Sequence, residues 1–456
     1  MAGDFRSRAL EQLMELLRIP SISTDPNHDG DCRRAASWLR EHLAKQGFAN
    51  IELLADDAHP VVWAEGPRAR GKPVVLVYGH YDVQPPDPLD LWESAPFEPE
   101  ARDGNLYARG SSDDKGQVFA VLKGFEAAVA NGHAPVNLRV LVEGQEESGS
   151  RVLFELLERE PERLRADVAL VADMPYFAAG FPAVYTALRG ICYAEITVRT
   201  LKRDLHSGSY GGVAPNAHET LVQILAQLKS PSGRIRIPGL YEMVTKPPKD
   251  VLRAWQSLPL SQTKFRKEEL RSRAVTGLSR YSILERIWAL PTFDIHGISG
   301  GFTGEGAKTV IPSEAKAKVS LRLVPKQTER QVQRLLRKAV KEAAPSHADV
   351  EIDFIHGGDP VEVDTSAPVF TVLSRAFEEV EGRAPVPIRS GGSIPIVPEL
   401  GRGGAAVVVT GIGLPDDGLH APNEKIGLDQ FYKGMELFKR FFELLGEGEG
   451  EGEGER

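Results

Sequence analysis

The chain has 456 residues, 41% of them hydrophobic and 26% charged, which is ordinary for a soluble globular protein and excludes general disorder. Lys and Arg total 55 against 64 Asp and Glu, a net charge of −9. With no dense basic stripe, nucleic acid is not an expected partner. No apolar run approaches the ~18 residues of a membrane span, and the N-terminus does not read as a signal peptide, so no membrane partner is expected either. Cys32 and Cys192 form neither a CxxC pair nor a disulfide framework, and a cytoplasmic location is the expectation.

At roughly 150 residues per domain, two to three domains are expected. Leu10, Leu13, Met14 and Leu17 stand at helical spacing and stop before Pro20. A second helix is expected over 31–46, ended by Gly47. Apolar runs at 74–78, 138–142 and 168–172 read as buried strands, with a helix over 117–130 between the first two. Strands alternating with helices imply an α/β domain: a mostly parallel sheet with helices on both faces. Near Arg189 the style changes. Segments 191–199, 315–323 and 350–355 alternate like half-exposed strands, and 216–228 and 329–343 read as helices. A smaller inserted α+β domain over 189–364 is therefore expected, with 1–188 and 365–445 forming the first domain. Helices at 369–380 and 428–445 and a strand at 405–410 return to the earlier style. From Gly446 the repeat GEGEGEGEGER holds five Glu and one Arg and nothing apolar, which predicts a disordered acidic tail over 446–456.

The informative polar residues stand just past the ends of the predicted strands, the edge where open parallel sheets bind ligands. GHYDVQP presents His80 and Asp82; RGSSDDKG presents Asp113, Asp114 and Lys115; EGQEESGS presents Glu143, Glu146 and Glu147. Strand 168–172 runs into Asp173, and strand 405–410 leads towards His420 in GLHAPNE. Taken singly, each is more often a cap or a solvated loop residue, and Glu146-Glu147 alone would suit a helix N-terminus. Together, so many carboxylates on one edge would repel each other without a cation. Two His with several acids suit zinc, with manganese or cobalt as alternatives, and the acid count suits two ions bridged by one carboxylate and a water. Asp82, two residues from His80, is placed to orient that imidazole.

These motifs resemble the co-catalytic zinc exopeptidases, a family that includes carnosinase-like dipeptidases, carboxypeptidase G, acetylornithine deacetylase, succinyl-diaminopimelate desuccinylase and aminoacylase. The resemblance runs from Gly79 to Glu424, and GHYDVQP, RGSSDDKG, EGQEESGS, DLHSGSYGG and GLHAPNE are most similar to the dipeptidase branch. It implies that Asp113 bridges two metals, that His80 and Asp173 complete one, and that Glu147 and His420 complete the other. Asp114 takes the neighbouring non-ligand place, Glu146 the general base, and Asp82 the orienter of His80. Met174 follows Asp173 where relatives often carry a small or polar residue, a change at the rim of the site.

In the inserted domain, His206 in DLHSG reads alone as an exposed turn histidine and Arg322 in SLRLVP as a solvated strand-face charge. The resemblance implies instead that His206 reaches a partner subunit's site and polarises the scissile carbonyl, which makes a homodimer through this domain the expected assembly. It implies that Arg322 binds the substrate carboxylate, and that Thr309 and Ser393 line the same pocket. The expected activity is hydrolysis of dipeptides or short peptides with a free C-terminal carboxylate by a metal-bridged water, with Glu146 as general base. An N-acyl-amino-acid deacylase would share every ligand and is the alternative. A metal-binding protein without turnover is disfavoured because no ligand or base is missing. An amidohydrolase barrel is disfavoured because HYD at His80 replaces its HxH pair.

Overall fold

The computed structural model describes residues 1, 3–55, 58–129, 132–392, 394 and 396–448. The chain divides into two compact units. Met1–Thr186, Val363–Ile388 and Pro395–Arg456 form the first, and Ala187–Glu362 with Arg389–Ile394 form the second.

In the first unit, helix α1 (Gly3–Leu17) buries Ala9, Leu13, Leu16 and Leu17. Its end is held by the buried Lys115, whose Nζ donates to the carbonyls of Leu16 and Ile19 at 3.3 and 2.7 Å. Helix carbonyls left without a partner at a C-terminus need such donors. Helix α2 (Asp29–Lys45) is followed by strands β1 (Ala49–Leu54), β2 (Val61–Glu65) and β3 (Val74–His80). Helix α3 (Lys115–Val129), strand β4 (Asn137–Glu143), helix α4 (Arg151–Arg159) and strand β5 (Val168–Ala172) complete the run. Strand β3 pairs in parallel with both β4 and β5. All three are nearly continuous apolar runs, the composition of strands covered on both faces.

The second unit holds strand β6 (Gly190–Arg199), helix α5 (Ala217–Leu228), strands β7 (Thr292–Gly300) and β8 (Glu314–Leu323), helix α6 (Glu329–Ala343) and strand β9 (Asp349–Gly358). Its sheet is antiparallel in the order β7-β8-β6-β9. Cys192, Ala194, Ile196 and Val198 of β6 share one core with Leu221, Ile224 and Leu225 of α5 and Leu336 and Val340 of α6. The alternate residues, such as Tyr193, Glu195, Lys316, Lys318 and Arg322, occupy the opposite face. Strand β7 is absent from the sequence reading. Gly297 and Gly300 dilute its pattern, and an irregularity between Ile295 and Gly297 shifts its register against β8, which breaks the period-2 signal.

The chain returns to the first unit through helix α7 (Val369–Glu381), strand β10 (Ala406–Thr410) and helix α8 (Leu428–Glu447). Strand β10 pairs in parallel with β5, giving a six-stranded sheet in the order β1-β2-β4-β3-β5-β10. The β1–β2 and β2–β4 pairings are antiparallel and the other three are parallel, so the sheet is mostly parallel, as expected. Helix α8 corrects the start of the acidic tail. It continues two residues into the Gly-Glu repeat because Gly446 is buried against Pro135 and its carbonyl accepts from Lys72 Nζ at 2.7 Å. Residues 449–456 of the tail lie outside the described residues. Cys32 and Cys192 are both buried and free, and among the described residues no helix is long and apolar enough to cross a membrane.

Helices α3 and α8 cross closely at Gly124, where an added Cβ would lie 2.9 Å from both Lys439 N and Met435 O. Helix propensity alone would make Gly124→Ala stabilising by about 1 kcal/mol. Overpacking against backbone should reverse the sign, for a net loss of about 1–3 kcal/mol in denaturant unfolding of the metal-free chain. A gain would show that the two helices separate without penalty.

Candidate metal centre

Strand β3 ends at His80, whose ring is fully buried. Its Nδ1 lies 3.1 Å from the Asp82 carbonyl and 3.3 Å from Asp82 Oδ1. The bond to the carbonyl needs the proton on Nδ1, which leaves Nε2 as the unprotonated, ligating nitrogen of the neutral ring. Asp82 does a second thing that no spacing argument anticipated. Its two oxygens accept from the backbone N–H groups of Glu146 and Glu147 at 3.2 and 3.1 Å. One buried carboxylate thus ties the loop after β3 to the turn after β4.

Asp113 lies between two imidazoles. Its Oδ1 is 3.1 Å from His80 Nε2 and its Oδ2 is 2.9 Å from His420 Nε2. His420 is also 3.4 Å from Glu147 Oε2, and Asp173 Oδ2 is 3.8 Å from His80 Nε2. Two groups of ligand atoms result, each with its members within 4.8 Å of one another: His80, Asp114 and Asp173, and Asp113, Glu147 and His420. All five residues expected from the resemblance are therefore brought together, and Asp114 joins them. One Asp114 oxygen accepts from the His80 backbone N–H at 3.2 Å. Glu143, offered by the same strand end, turns away: its Oε1 accepts from the Tyr78 and Ser150 hydroxyls at 2.7 and 2.9 Å.

The electrostatics favour a cation. Burial, reinforced by neighbouring carboxylates, pushes Asp114 and Asp173 well above the usual carboxylate range. Glu146 is pushed up to about 7 by burial and by Glu147, Asp82 and Asp113. Asp113 alone is held low, because the imidazoles of His420 and His80 outweigh its burial. Hydrogen bonds to Asp113 and Glu147 lift His420 to about 10. His80 Nε2 and Asp114 Oδ1 are buried and lack a hydrogen-bond partner, since Asp113 Oδ1, though near His80, is out of line for one. A divalent ion on each side of Asp113 would satisfy the orphaned nitrogen and neutralise the crowding, and the mixed imidazole and carboxylate donors suit zinc or manganese. The residues fit two metals.

Three further residues hold the loops, and their role was not legible in the motifs that contain them. Glu424, the last residue of GLHAPNE, is buried and receives the N–H groups of Gly110, Ser112 and Asp113, each at 3.0 Å, as well as Arg109 Nη1 at 2.8 Å. Asp417 accepts from Ser112 Oγ at 2.8 Å and from the Leu414 N–H at 2.7 Å. Gln117 Oε1 accepts from the N–H groups of Ile412 and Gly413 at 2.7 and 3.1 Å. The available signal was weak: Asp417 and Glu424 sit among exposed or half-buried loop residues, and only Gln117 lies in a helix start whose neighbours are buried.

Within the second unit, His206 pairs with Val310 across a two-residue strand, which brings it beside Thr309. The Gly208 N–H donates to His206 Nδ1 at 3.0 Å, so the neutral ring carries its proton on Nε2 and offers it outward. Thr309 Oγ1 is 3.5 Å from that nitrogen. Arg322 stands on the helix-free face of β8, half-buried, and among the described residues no carboxylate lies within 4.0 Å of it. Ser393 lies outside the described residues.

The model of peptidase family M20/M25/M40 matches residues 76–444. The Cys-Gly metallodipeptidase of Candida albicans is 32% identical over 97% of this chain and 96% of its own. The human Beta-Ala-His dipeptidase is 33% identical over 84% of this chain and 77% of its own. The solved structure of an M20 family metallo-carboxypeptidase from Sulfolobus solfataricus superposes with a TM-score of 0.83 at 29% identity, covering 98% of this chain and 100% of that one. His80, Asp113, Glu147, Asp173 and His420 all fall inside the matched span, and the chain belongs to peptidase family M20/M25/M40.

Proposed function

We propose that this chain is a cytoplasmic di-metal dipeptidase that cleaves dipeptides or short peptides bearing a free C-terminal carboxylate. The observation that carries the reading is Asp113 flanked by His80 and His420, with one further acid on each side, Asp173 and Glu147. His80, Asp113 and Asp173 would hold one ion, and Asp113, Glu147 and His420 the other, with zinc first and manganese or cobalt as alternatives. Asp114 is kept outside the set on the resemblance, with one oxygen engaged by the His80 N–H, although it lies in one group with His80 and Asp173. Dipeptides are the favoured substrates because the relatives matching most of the chain are named as dipeptidases. Two buried free cysteines suit a reducing compartment.

When bound, such an ion pair supplies a water of lowered pKa and polarises the scissile carbonyl. Glu146 is the base: its carboxylate makes no side-chain hydrogen bond among the described residues, and its raised proton affinity suits transfer near neutrality. It takes the proton of the attacking water and passes it to the leaving amine nitrogen. Asp82 holds the Glu146-Glu147 backbone and the His80 ring in register. His206 donates from Nε2 to the carbonyl oxygen as negative charge develops there, with Thr309 beside it; Ser393 is assigned to the same pocket on the resemblance alone. Arg322 pairs with the substrate carboxylate. We assign His206 to the site of a partner subunit, in a homodimer formed by the second unit, as in the family the sequence resembles.

Chelation should abolish hydrolysis of dipeptides, and zinc, manganese or cobalt should restore it. Glu146→Gln should lower kcat by at least about 100-fold while the metal content by mass spectrometry stays at wild type, whereas Glu147→Ala should lose metal. Full activity in a verified metal-free preparation, or the reverse pattern in the two variants, would overturn the assignment. Running acetyl amino acids beside the dipeptides separates a peptidase from a deacylase.

Arg322→Ala should cut kcat/KM for free dipeptides by at least ~30-fold, close to 2 kcal/mol, the low end for truncating a desolvated charge pair. C-terminally amidated dipeptides should be poor substrates already and lose little more. Equal cleavage of free and amidated dipeptides would make Arg322 an ordinary surface charge.

Mixing inactive Glu146→Gln subunits with inactive His206→Ala subunits under exchange should regenerate activity. In a mixed dimer that shares His206 across subunits, one site has both groups intact. No recovery from verified mixed dimers would place His206 in its own subunit's site.

A further inference from the structure

We infer that Glu424 is a positioning residue for the metal centre: with Arg109 it clamps the Gly110–Asp113 loop and so sets where Asp113 can stand between two ions. The inference rests on the di-metal reading above. Glu424 has no other visible task. It is fully buried, and each of its two oxygens has two donors. Oε1 accepts from the Ser112 and Asp113 N–H groups, and Oε2 from the Gly110 N–H and Arg109 Nη1. One carboxylate therefore holds three of four consecutive backbone N–H groups, ending on the amide of Asp113 itself.

The clamp also reaches the other ligand loop. Glu424 follows His420 by four residues, and the intervening chain doubles back, with the Ala421 N–H on the Gly418 carbonyl at 2.9 Å and the Lys425 N–H on the Asp417 carbonyl at 2.9 Å. Asp417 meanwhile takes Ser112 Oγ. Residues 417–424 and 110–113 are thus fastened at two points, and the fastening fixes the distance between His420 and Asp113, now 2.9 Å. The Arg109 guanidinium is the charge partner that lets a fully buried carboxylate stay ionised. An amide in place of the carboxylate would turn an NH2 towards two donors at one of its ends, and the loop would have to move.

Groups that orient ligands without touching the metal typically change its affinity by 10–100-fold when lost. Metal-free wild type, Glu424→Gln, Glu424→Asp and Asp113→Asn would be titrated with zinc against a chromophoric chelator, with a thermal melt of each metal-free protein alongside. Wild type should take two ions. Glu424→Gln should weaken both by at least about tenfold, because Asp113 serves both. Glu424→Asp, which keeps the charge beside Arg109 and is one methylene short, should weaken them likewise, and carries the test should the amide variant not fold. Adding Glu424→Gln to Asp113→Asn should cost no further affinity. A lowered melt with unchanged zinc affinity, or additive losses in the double variant, would make Glu424 a structural residue only. Failure of wild type to bind two ions would instead overturn the di-metal reading itself.

Discussion

Asp113 has one imidazole beside each of its carboxylate oxygens, His80 near Oδ1 and His420 near Oδ2, and the first unit is organised to keep that carboxylate in place. His80 closes β3, Glu147 lies in the turn after β4, Asp173 directly follows β5, and His420 comes from the loop after β10. These segments are far apart in sequence, but their strands are neighbours in one parallel run, β4-β3-β5-β10. Parallel pairing sends every strand's C-terminal end to the same edge. The sheet is therefore the device that concentrates the acids, and the loops only have to aim them.

Concentrating acids has an electrostatic cost, and the fold meets it differently at each position. Glu143 and Glu146 are three residues apart, both raised by burial, to about 8 and about 7. Glu143 is anchored by two hydroxyls and has become part of the core. Glu146 has no such anchor, and its backbone alone is fixed, by Asp82. A general base, the role proposed for Glu146, benefits from that arrangement, because its position is set without its charge being committed to a protein donor. The same logic separates Asp82, with a backbone N–H on each oxygen, and Glu424, held by three backbone N–H groups and Arg109, from the carboxylates that remain available to ions.

Most of this was legible in the residues. Strands β3, β4, β5 and β10 are short apolar runs between breakers, and each was placed to within two residues. What escaped was of two kinds. Strands β1 and β7 lie at sheet edges, where partial exposure blurs the period-2 pattern, and β2, though buried, offers only the four-residue apolar run 61–64. The clamping side chains escaped because the partners of Glu424 are chiefly backbone amides more than 300 residues away. Sequence spacing reports side chains that share an element; it carries nothing about which distant loop will supply the N–H groups. His206 shows the intermediate case: its residue type was readable, but its tautomer depends on the N–H of Gly208 folding back onto Nδ1.

The second unit states its chemistry in a different grammar. An antiparallel sheet with helices on one face leaves the other face polar, so Arg322 stands in a row with Lys316 and Lys318, and alternation alone cannot distinguish them. Their surroundings do. Lys316 pairs with Glu195 at 3.1 Å and Lys318 is exposed, so each has an acceptor or water. Tyr193 on the neighbouring strand is stacked between His296 and His356, with ring centroids 5.1 and 4.9 Å away, an aromatic row that carries no carboxylate. Arg322 is half-buried, its proton affinity lowered chiefly by that burial, and no carboxylate among the described residues lies within 4.0 Å. A guanidinium partly withdrawn from water, with Asp294 acting on it only from beyond 4.0 Å and itself 3.5 Å from Lys229 Nζ, is an unfavourable arrangement for folding alone. It becomes favourable when an anion arrives from outside the chain, and that is the physical support for the proposal that Arg322, rather than its lysine neighbours, reads a substrate carboxylate.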